Sequence, residues 1–195
     1  MTGRLAKLMW GILLPAFACG CSVTSAPDDV DAARLSRSRQ DQDQYKCLTP
    51  EDEQRLAGEL FELINLERSK VGLPAVQRAN RLDRIASDYA CRMIRGGFFA
   101  HLDPETGAGP GQRAINDGYR FYAIGENLAV GHETTAEVMK AWMASDAHRS
   151  IIRSPAWTEV GLGVRVGGRH GIYWVQEFGD PVEPAFAMAS SDSSE

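Results

Sequence analysis

The chain has 195 residues, of which 44% are hydrophobic and 24% charged, and it carries a formal net charge of −5. This length accommodates one domain with flanking segments, and the composition is typical of a soluble globular protein. The negative charge and the dispersed basic residues argue against nucleic-acid binding, because phosphate recognition requires a basic face.

Residues 1–21 are predicted to form an export signal. Arg4 and Lys7 precede the apolar run Leu8–Ala18. As a helix, this run extends only about 16 Å at ~1.5 Å per residue, which is well short of the ~30 Å hydrocarbon core of a bilayer. The pattern is therefore that of a cleavable signal and not of a membrane span.

Two processing routes stay open after the apolar run. An Ala-Phe-Ala sequence ends at Ala18, and cleavage there frees a chain that begins at Cys19. Alternatively, Cys19 or Cys21 is the lipidated cysteine of a bacterial lipoprotein, since the sequence Ala-Cys-Gly-Cys that ends at Cys21 approximates a lipobox. Either route exports the chain, as a cell-envelope lipoprotein or as a secreted or periplasmic protein. Membrane contact is expected only through an N-terminal lipid anchor.

The composition divides the rest of the chain into three parts. Residues 22–46 are rich in Asp, Ser, Arg and Gln and poor in large apolar side chains, so they cannot bury enough surface to offset the cost of ordering. They are predicted to be a disordered tether. Residues 47–180 form the predicted domain, and residues 181–195, which end in Ser-Ser-Asp-Ser-Ser-Glu, are predicted to be a disordered tail.

Two cysteines, Cys47 and Cys91, lie within the predicted domain. Export makes a disulfide admissible, because disulfides persist in oxidising compartments. One interpretation is a bond between Cys47 and Cys91, and the other is a pair of free thiols with Cys91 buried on a helix. Neither cysteine has a histidine near it in sequence, so no catalytic role is assigned to them.

Periodicity and capping patterns predict the helices in the first half of the domain. Thr49 and Pro50 supply an N-cap and a first position for one amphipathic helix. Asn80 caps a second helix, whose apolar side chains recur at a period of 3.6 residues and which ends at Gly96. A short helix is predicted after Pro110.

The second half of the domain is predicted to alternate between strands and a helix. The apolar segment Ile124–Val130 indicates a strand, and Thr134 and Glu137 have the spacing of a capping box that begins a third main helix. Alternation at a period of two predicts a β-hairpin over residues 160–166 and 172–178. This order of elements indicates an α+β domain in which helices cover an antiparallel sheet.

Three segments that lie far apart in sequence carry imidazole and carboxylate groups. They are Phe-Phe-Ala-His ending at His101, Gly-Glu-Asn around Glu126, and Ser-Asp-Ala-His-Arg around His148. The imidazole nitrogens of His101 and His148 and a carboxylate oxygen of Glu126 match a catalytic zinc site with an open fourth position. At such a site the metal lowers the pKa of bound water. The alternative is a hydrogen-bonded structural network in which Glu126 orients the imidazoles. A His-Glu-x-x-His helix, which would favour the metal, does not occur.

Residues beside these segments are further candidates. Ser145 lies three positions before His148, so with Glu126 it has the elements of a Ser-His-acid arrangement. No Gly-x-Ser-x-Gly elbow exposes this serine, and ending or capping a helix is its simpler role. Arg149 is expected to pair with Glu126 or Asp146, or to lie at a helix end.

The domain also carries a series of short motifs in a fixed order. They are Leu63-Ile64-Asn65, Glu67-Arg68, Gly72-Leu73-Pro74, Phe99-Ala100-His101, Arg113, Gly118-Tyr119, Gly125-Glu126-Asn127-Leu128, Trp142-Met143, Ser145, His148-Arg149, Val160-Gly161-Leu162-Gly163, Tyr173-Trp174-Val175-Gln176 and Phe178-Gly179. With these motifs the domain resembles the CAP superfamily (cysteine-rich secretory proteins, antigen 5 and pathogenesis-related 1), in particular its bacterial secreted proteins with an SCP domain. The resemblance covers about residues 59–179.

The resemblance implies a three-layer α-β-α sandwich with a central antiparallel sheet and a cleft lined by two histidines and two acidic residues. His101, Glu126 and His148 match three of these four positions. The fourth position, which is acidic in many relatives, falls on Ser145 in this chain, with Asp146 next to it as a substitute. A mechanism that needs two cleft carboxylates is therefore not implied for this chain.

Asn127 and Arg149 are neighbours of matched residues and are expected beside the cleft. Three functions remain open. The first, favoured by the resemblance, is a non-catalytic extracytoplasmic binding module that holds a lipid, a glycan or a protein ligand, with or without a divalent metal such as zinc. The second is a metal-assisted hydrolase acting on peptide or cell-wall material. The third is a structural envelope protein whose cleft residues only stabilise the fold.

Overall fold

The computed structural model describes residues 45–182. The predicted export signal, the candidate lipidation sites Cys19 and Cys21, the tether up to residue 44 and the segment 183–195 lie outside the described residues. Within the described range, every helix is too short or too polar to traverse a bilayer.

The described chain forms helices and strands in the predicted order, with one additional short strand and one additional short helix. The elements are α1 (Glu53–Ser69), β1 (Gln77–Arg78), α2 (Asn80–Gly96), α3 (Pro110–Asn116), β2 (Phe121–Val130), α4 (Thr135–Ala144), α5 (Asp146–Ile152), β3 (Glu159–Val166) and β4 (Ile172–Pro181). The predicted capping box is confirmed at the start of α4, where the Thr134 side chain accepts from the backbone N–H of Glu137 and the Glu137 side chain accepts from that of Thr134.

The strands form one four-stranded sheet in the order β1-β3-β4-β2. The three long strands are antiparallel, as predicted, because β4 pairs with β3 on one side and with β2 on the other. The two-residue strand β1 was not predicted, and it adds a parallel edge to β3. β2 forms the opposite edge of the sheet.

Helices cover both faces of the sheet, so the predicted α-β-α sandwich is confirmed. One face packs against α2, through a core that includes Tyr89, Met93 and Tyr173. The other face packs against α1, α4 and α5, through a core that includes Trp142 and Trp174. Apolar residues of β4 alternate between these two cores, which is the period of two on which the hairpin prediction depends.

Several boundaries differ from their prediction. α1 begins at Glu53 and not at Thr49-Pro50, because Leu48 is held in an extended bridge with Val166 and a turn from Pro50 to Glu53 must follow before the helix. Asn80 is the first residue of α2 and not its cap. β2 begins at Phe121, since its pairing with β4 extends beyond the apolar run, and β4 itself continues through Pro181.

Cys47 and Cys91 form a disulfide, which confirms the first of the two interpretations. Their Cα atoms are 5.3 Å apart and their sequence separation is 44 residues. In the chain-entropy model, closing a loop of this length stabilises the fold by about 4 kcal/mol. The bond attaches the first described residues to α2.

Two glycines on β3 allow α2 to lie directly on the sheet. A Cβ on Gly161 would lie 2.1 Å from the carbonyl carbon of Leu82, and a Cβ on Gly163 would lie 2.5 Å from that of Ala86. A Cβ atom cannot come so close to another carbon atom, so only glycine fits at these two positions. The backbone of α2 therefore packs directly against the backbone of β3. Leu82 and Ala86 are about one helical turn apart, so both contacts fall on the same face of α2.

Replacement of either glycine by alanine should therefore destabilise the domain. We expect Gly161→Ala to lower the free energy of unfolding by about 1–3 kcal/mol through overpacking. The matched control is Gly58→Ala on α1, where an added Cβ meets nothing within 4 Å and helix propensity favours alanine by roughly 1 kcal/mol. Urea denaturation of both variants measures the difference, and equal effects would contradict the close approach.

Candidate functional site

The fold brings His101 and Glu126 into direct contact. Nδ1 of His101 lies 2.7 Å from Oε1 of Glu126. Because a carboxylate accepts hydrogen bonds, Nδ1 is the donor and Nε2 stays available to a ligand. The side chain of Glu126 is 1% exposed, whereas that of His101 is 52% exposed. Glu126 therefore fixes the ring from within the protein, and His101 presents its other edge to solvent.

Arg113, on α3, binds the second oxygen of Glu126. Its Nη2 donates to Oε2 of Glu126, and its Nη1 donates to the backbone carbonyls of His101 (3.0 Å) and Ala108 (3.1 Å). The guanidinium carbon lies 3.3 Å from the centroid of the Tyr89 ring on α2. Arg113 thus connects α2, α3, β2 and the loop that carries His101.

A second carboxyl group, that of Glu177, lies beside Glu126. The two residues pair across β2 and β4, and Oε1 of Glu177 is 3.4 Å from Nη2 of Arg113. Glu177 is completely buried. Burial raises the pKa of its carboxyl well above 4.5, the charge of Glu126 raises this pKa further, and Arg113 opposes both effects. Arg113 therefore offsets the negative charge of the pair, and the raised pKa favours the neutral form of Glu177.

His148 approaches the same strand from the other face of the sheet. The side chain of Asn127, which is buried, donates from Nδ2 to the backbone carbonyl of His148 (3.2 Å) and to Oε1 of Gln176 (2.7 Å). This contact holds α5 against β2. Burial lowers the pKa of His148 from 6.5, and the charge of His101 lowers this pKa further. Of the three predicted residues, His101 and Glu126 are in direct contact, and His148 reaches the same strand through its backbone carbonyl. That its ring lies near His101 stays a prediction.

Ser145 forms the junction between two helices. It ends α4, where its backbone N–H donates to the carbonyl of Trp142 (3.2 Å), and its own carbonyl accepts from the N–H of Arg149 (2.9 Å) in α5. This position agrees with the simpler of its two predicted roles. Its side chain forms no capping hydrogen bond to α5.

Asp146 and Arg149 pair with each other and not with Glu126. Nη2 of Arg149 donates to Oδ1 of Asp146, and Nη1 donates to the carbonyl of Met143 at 2.7 Å. The side chain of Asp146 is 92% exposed, so its carboxylate is turned to solvent. The second carboxyl group beside Glu126 comes instead from Glu177.

Sequence patterns assigned no site role to Arg113 or Glu177. Glu177 had a signal that was missed: it shares its strand face with Tyr173 and Val175, so the period of two places it inside a buried face, where a charge needs a partner. Arg113 belongs to the series of motifs, but its role was not readable from the sequence, since its partners lie on four other segments of the chain.

Among residues 45–182, no group of three or more His, Cys, Asp or Glu side chains is arranged to hold an ion. Both oxygens of Glu126 are engaged by His101 and Arg113, which is the position of an orienting carboxylate behind a metal-bound histidine and not that of a ligand. Zinc binding at His101, Glu126 and His148 therefore stays a prediction, and the engagement of both oxygens of Glu126 disfavours this residue as a ligand.

Comparison with known proteins identifies the family of the domain. The family model described as the cysteine-rich secretory protein family, CAP, matches residues 61–178. The chain therefore belongs to the CAP family, as the motifs predicted. The matched region includes His101, Arg113, Glu126, His148 and Glu177.

Bacterial proteins are among the relatives. The chain is 35% identical over 119 residues to the uncharacterised protein YkwD of Bacillus subtilis, a match that covers 61% of this chain and 45% of YkwD. An outer surface protein of Borrelia burgdorferi has the same fold, with a TM-score of 0.62 at 21% identity over 70% of this chain and 98% of the other. An extracellular SCP-domain protein of Bacillus anthracis gives a TM-score of 0.58 at 25% identity, over 68% of this chain and 44% of the other.

The raised pKa of Glu177 predicts a specific dependence of stability on pH. The folded protein keeps this proton at pH values where the unfolded chain has lost it, so the stabilisation is complete below about 4.5 and is lost as the pH rises through the folded pKa. Glu177→Gln has no proton to lose. Wild type therefore loses stability as the pH rises from about 4.5 to the folded pKa, and the variant does not. Over these pH values, we expect the free energy of unfolding of the variant minus that of wild type to increase by up to about 1.4 kcal/mol per pH unit.

Thermal unfolding of both proteins between pH 4 and 9 measures this difference. Glu133→Gln is the control, because Glu133 is an exposed loop residue and its replacement should shift the melting temperature by a constant amount. A difference between Glu177→Gln and wild type that does not change with pH would contradict a protonated Glu177.

The proximity of the two imidazoles is tested by titrating His148. In chelator-treated solution, its ring should titrate below 6.5. His101→Gln should raise the pKa of His148 without restoring it fully, because the burial effect remains. His132→Gln, in the loop after β2, should leave the pKa of His148 unchanged. NMR of the ring protons gives both values, and a pKa unaffected by His101→Gln would show that the rings are apart.

Proposed function

We propose that the domain is an extracytoplasmic binding module that holds its ligand beside His101 and His148. The observation that carries this proposal is the engagement of Glu126, whose two oxygens are both occupied by His101 and Arg113. A carboxylate fixed in this way orients an imidazole and is not free to act as a nucleophile or as a base. His101 offers a rigid hydrogen-bonding edge, which suits recognition.

The surroundings of His101 favour a ligand with an apolar part. Phe99 and Leu102 flank the histidine and are 39% and 61% exposed. Large apolar side chains that border a polar site mark an interaction surface. Of the three ligand classes expected from the sequence, a lipid fits best, because its head group would meet the imidazoles while its chain covers the apolar border.

Export of the chain is part of the proposal. It is supported by two relatives, of which one is an outer surface protein and the other an extracellular protein. The Cys47–Cys91 disulfide also favours an oxidising compartment. Attachment through Cys19 or Cys21, as opposed to release as a secreted or periplasmic protein, is a further step of the same proposal.

A metal-assisted hydrolase is the second candidate. It is favoured by the hydrogen bond from Nδ1 of His101 to a buried carboxylate, a pattern that is usual behind metal-bound histidines. The lowered pKa of His148 favours the neutral form that binds metals. His101 and His148 would hold the ion, which would supply Lewis acidity to a bound ligand. The guanidinium of Arg113 on the far side of Glu126 opposes a second positive charge at this place.

Native mass spectrometry of the purified chain tests the binding proposal. The protein is incubated with a bacterial polar-lipid extract and, separately, with soluble peptidoglycan fragments. We expect lipid adducts on wild type, and at least tenfold less adduct on the double variant His101→Gln/His148→Gln. The control is His132→Gln, which also removes an imidazole but lies in the loop after β2, outside the residues described for the site.

Equal adducts on the cleft variant and the control variant would refute binding at the imidazoles. The peptidoglycan arm also tests the second candidate, since products that form with zinc and disappear with a chelator would establish hydrolysis in place of simple binding.

A further inference from the structure

A second pocket lies at one end of the sheet, away from the histidines. It has a volume of about 500 Å³, which is within the range of small-ligand sites. It is formed where β1 and β3 begin and β4 ends. Its lining includes Gln77, Tyr122, Trp157, Thr158, Glu159 and Asp180. The lining does not include His101, Arg113, Glu126, His148 or Glu177, so the pocket is separate from the site that these residues form.

A β-bulge turns Tyr122 towards solvent. Phe121 pairs with Pro181 and Ala123 pairs with Asp180, so Tyr122 is the extra residue in β2 and has no partner in β4. Its side chain is 75% exposed, and bulges commonly redirect a side chain next to a functional site. The bulge therefore interrupts the pairing of β2 with β4 and places the aromatic ring of Tyr122 at the pocket.

Trp157 provides a rigid wall on the other side. Its indole N–H donates to the carbonyl of Ile151 (2.7 Å), and its ring stacks on Phe178 with 5.9 Å between centroids. The buried Arg68 donates to the carbonyl of Ser154 (2.7 Å), which anchors the segment before it. The tryptophan is therefore held in place before any ligand arrives.

The charges of the pocket are all negative. Oε2 of Glu159 accepts from the hydroxyl of Tyr119 (2.8 Å), and Oδ1 of Asp180 accepts from that of Thr158 (3.4 Å). Each carboxylate keeps its other oxygen for a ligand. No Lys, Arg or His lines the pocket, and among the described residues neither carboxylate takes part in an ion pair. Aromatic faces next to unpaired carboxylates attract cations.

We propose that this pocket binds an organic cation, either a quaternary ammonium group or the protonated amine of a lysine side chain. The cation lies against Tyr122 and Trp157, and Glu159 and Asp180 balance its charge. The proposal is independent of the function proposed for the His101 cleft, since the two sites share no residue.

The test compares a cation with its neutral isostere. The ¹⁵N-labelled purified chain is titrated with choline, with 3,3-dimethylbutan-1-ol, and with Nα-acetyl-lysine methylamide, at constant ionic strength. The indole N–H resonance of Trp157 is followed by NMR. We expect saturable shifts with one or both cations and none with the neutral alcohol. The cation that binds more tightly identifies the source, a quaternary ammonium compound or a basic peptide.

Two variants locate the binding. Tyr122→Leu keeps an apolar side chain at a highly exposed position but removes the ring, and Asp180→Asn removes one charge. Each should weaken binding about three- to five-fold or more. Tyr45→Leu, which changes an exposed tyrosine outside the pocket, should bind as wild type. Equal shifts with the neutral alcohol, unchanged affinity in both pocket variants, or no shift with either cation would each overturn the proposal.

Discussion

The guanidinium of Arg113 is the group on which the arrangement of the candidate site depends. Glu126 and Glu177 occupy neighbouring positions on adjacent strands, and both are removed from water. Like charges buried side by side cost on the order of several kcal/mol unless a cation and a proton compensate them. Arg113 is the cation that contacts both carboxyl groups. It also binds the carbonyl of His101, so the loop that presents the imidazole is held by the same side chain that stabilises the carboxyl pair.

Strand β2 positions both histidines because consecutive residues of a strand point to opposite faces. Glu126 points towards α2 and binds the ring of His101. Asn127 points towards α5 and binds the backbone of His148. Two adjacent residues thus contact two histidines that lie 47 positions apart in the sequence, one through its ring and the other through its backbone carbonyl.

The parts of the fold that depend on local patterns were predictable, and those that depend on distant contacts were not. The capping box of α4 and the alternation of β3 and β4 are local, and both predictions are confirmed. The start of α1 was predicted wrongly, because the bridge between Leu48 and Val166 joins segments far apart in sequence. The same distinction applies to the site. Its histidines and Glu126 were found by residue type and motif, whereas Arg113 acts through partners on four segments.

The Gly-Glu-Asn motif can now be explained one residue at a time. Glu126 binds the ring of His101, Asn127 binds the backbone carbonyl of His148, and Gly125 leaves room for the ring of Trp157. A Cβ on Gly125 would lie 2.8 Å from Cζ2 of that ring, so only glycine allows the indole to pack on the strand. The φ of Gly125 is not positive, so close approach and not backbone freedom explains the residue. Because Trp157 also lines the pocket at the end of the sheet, one ring packs against the backbone next to Glu126 and forms part of a second surface. The packing of β2 next to Glu126 therefore involves Trp157, a residue that also lines a pocket containing neither histidine.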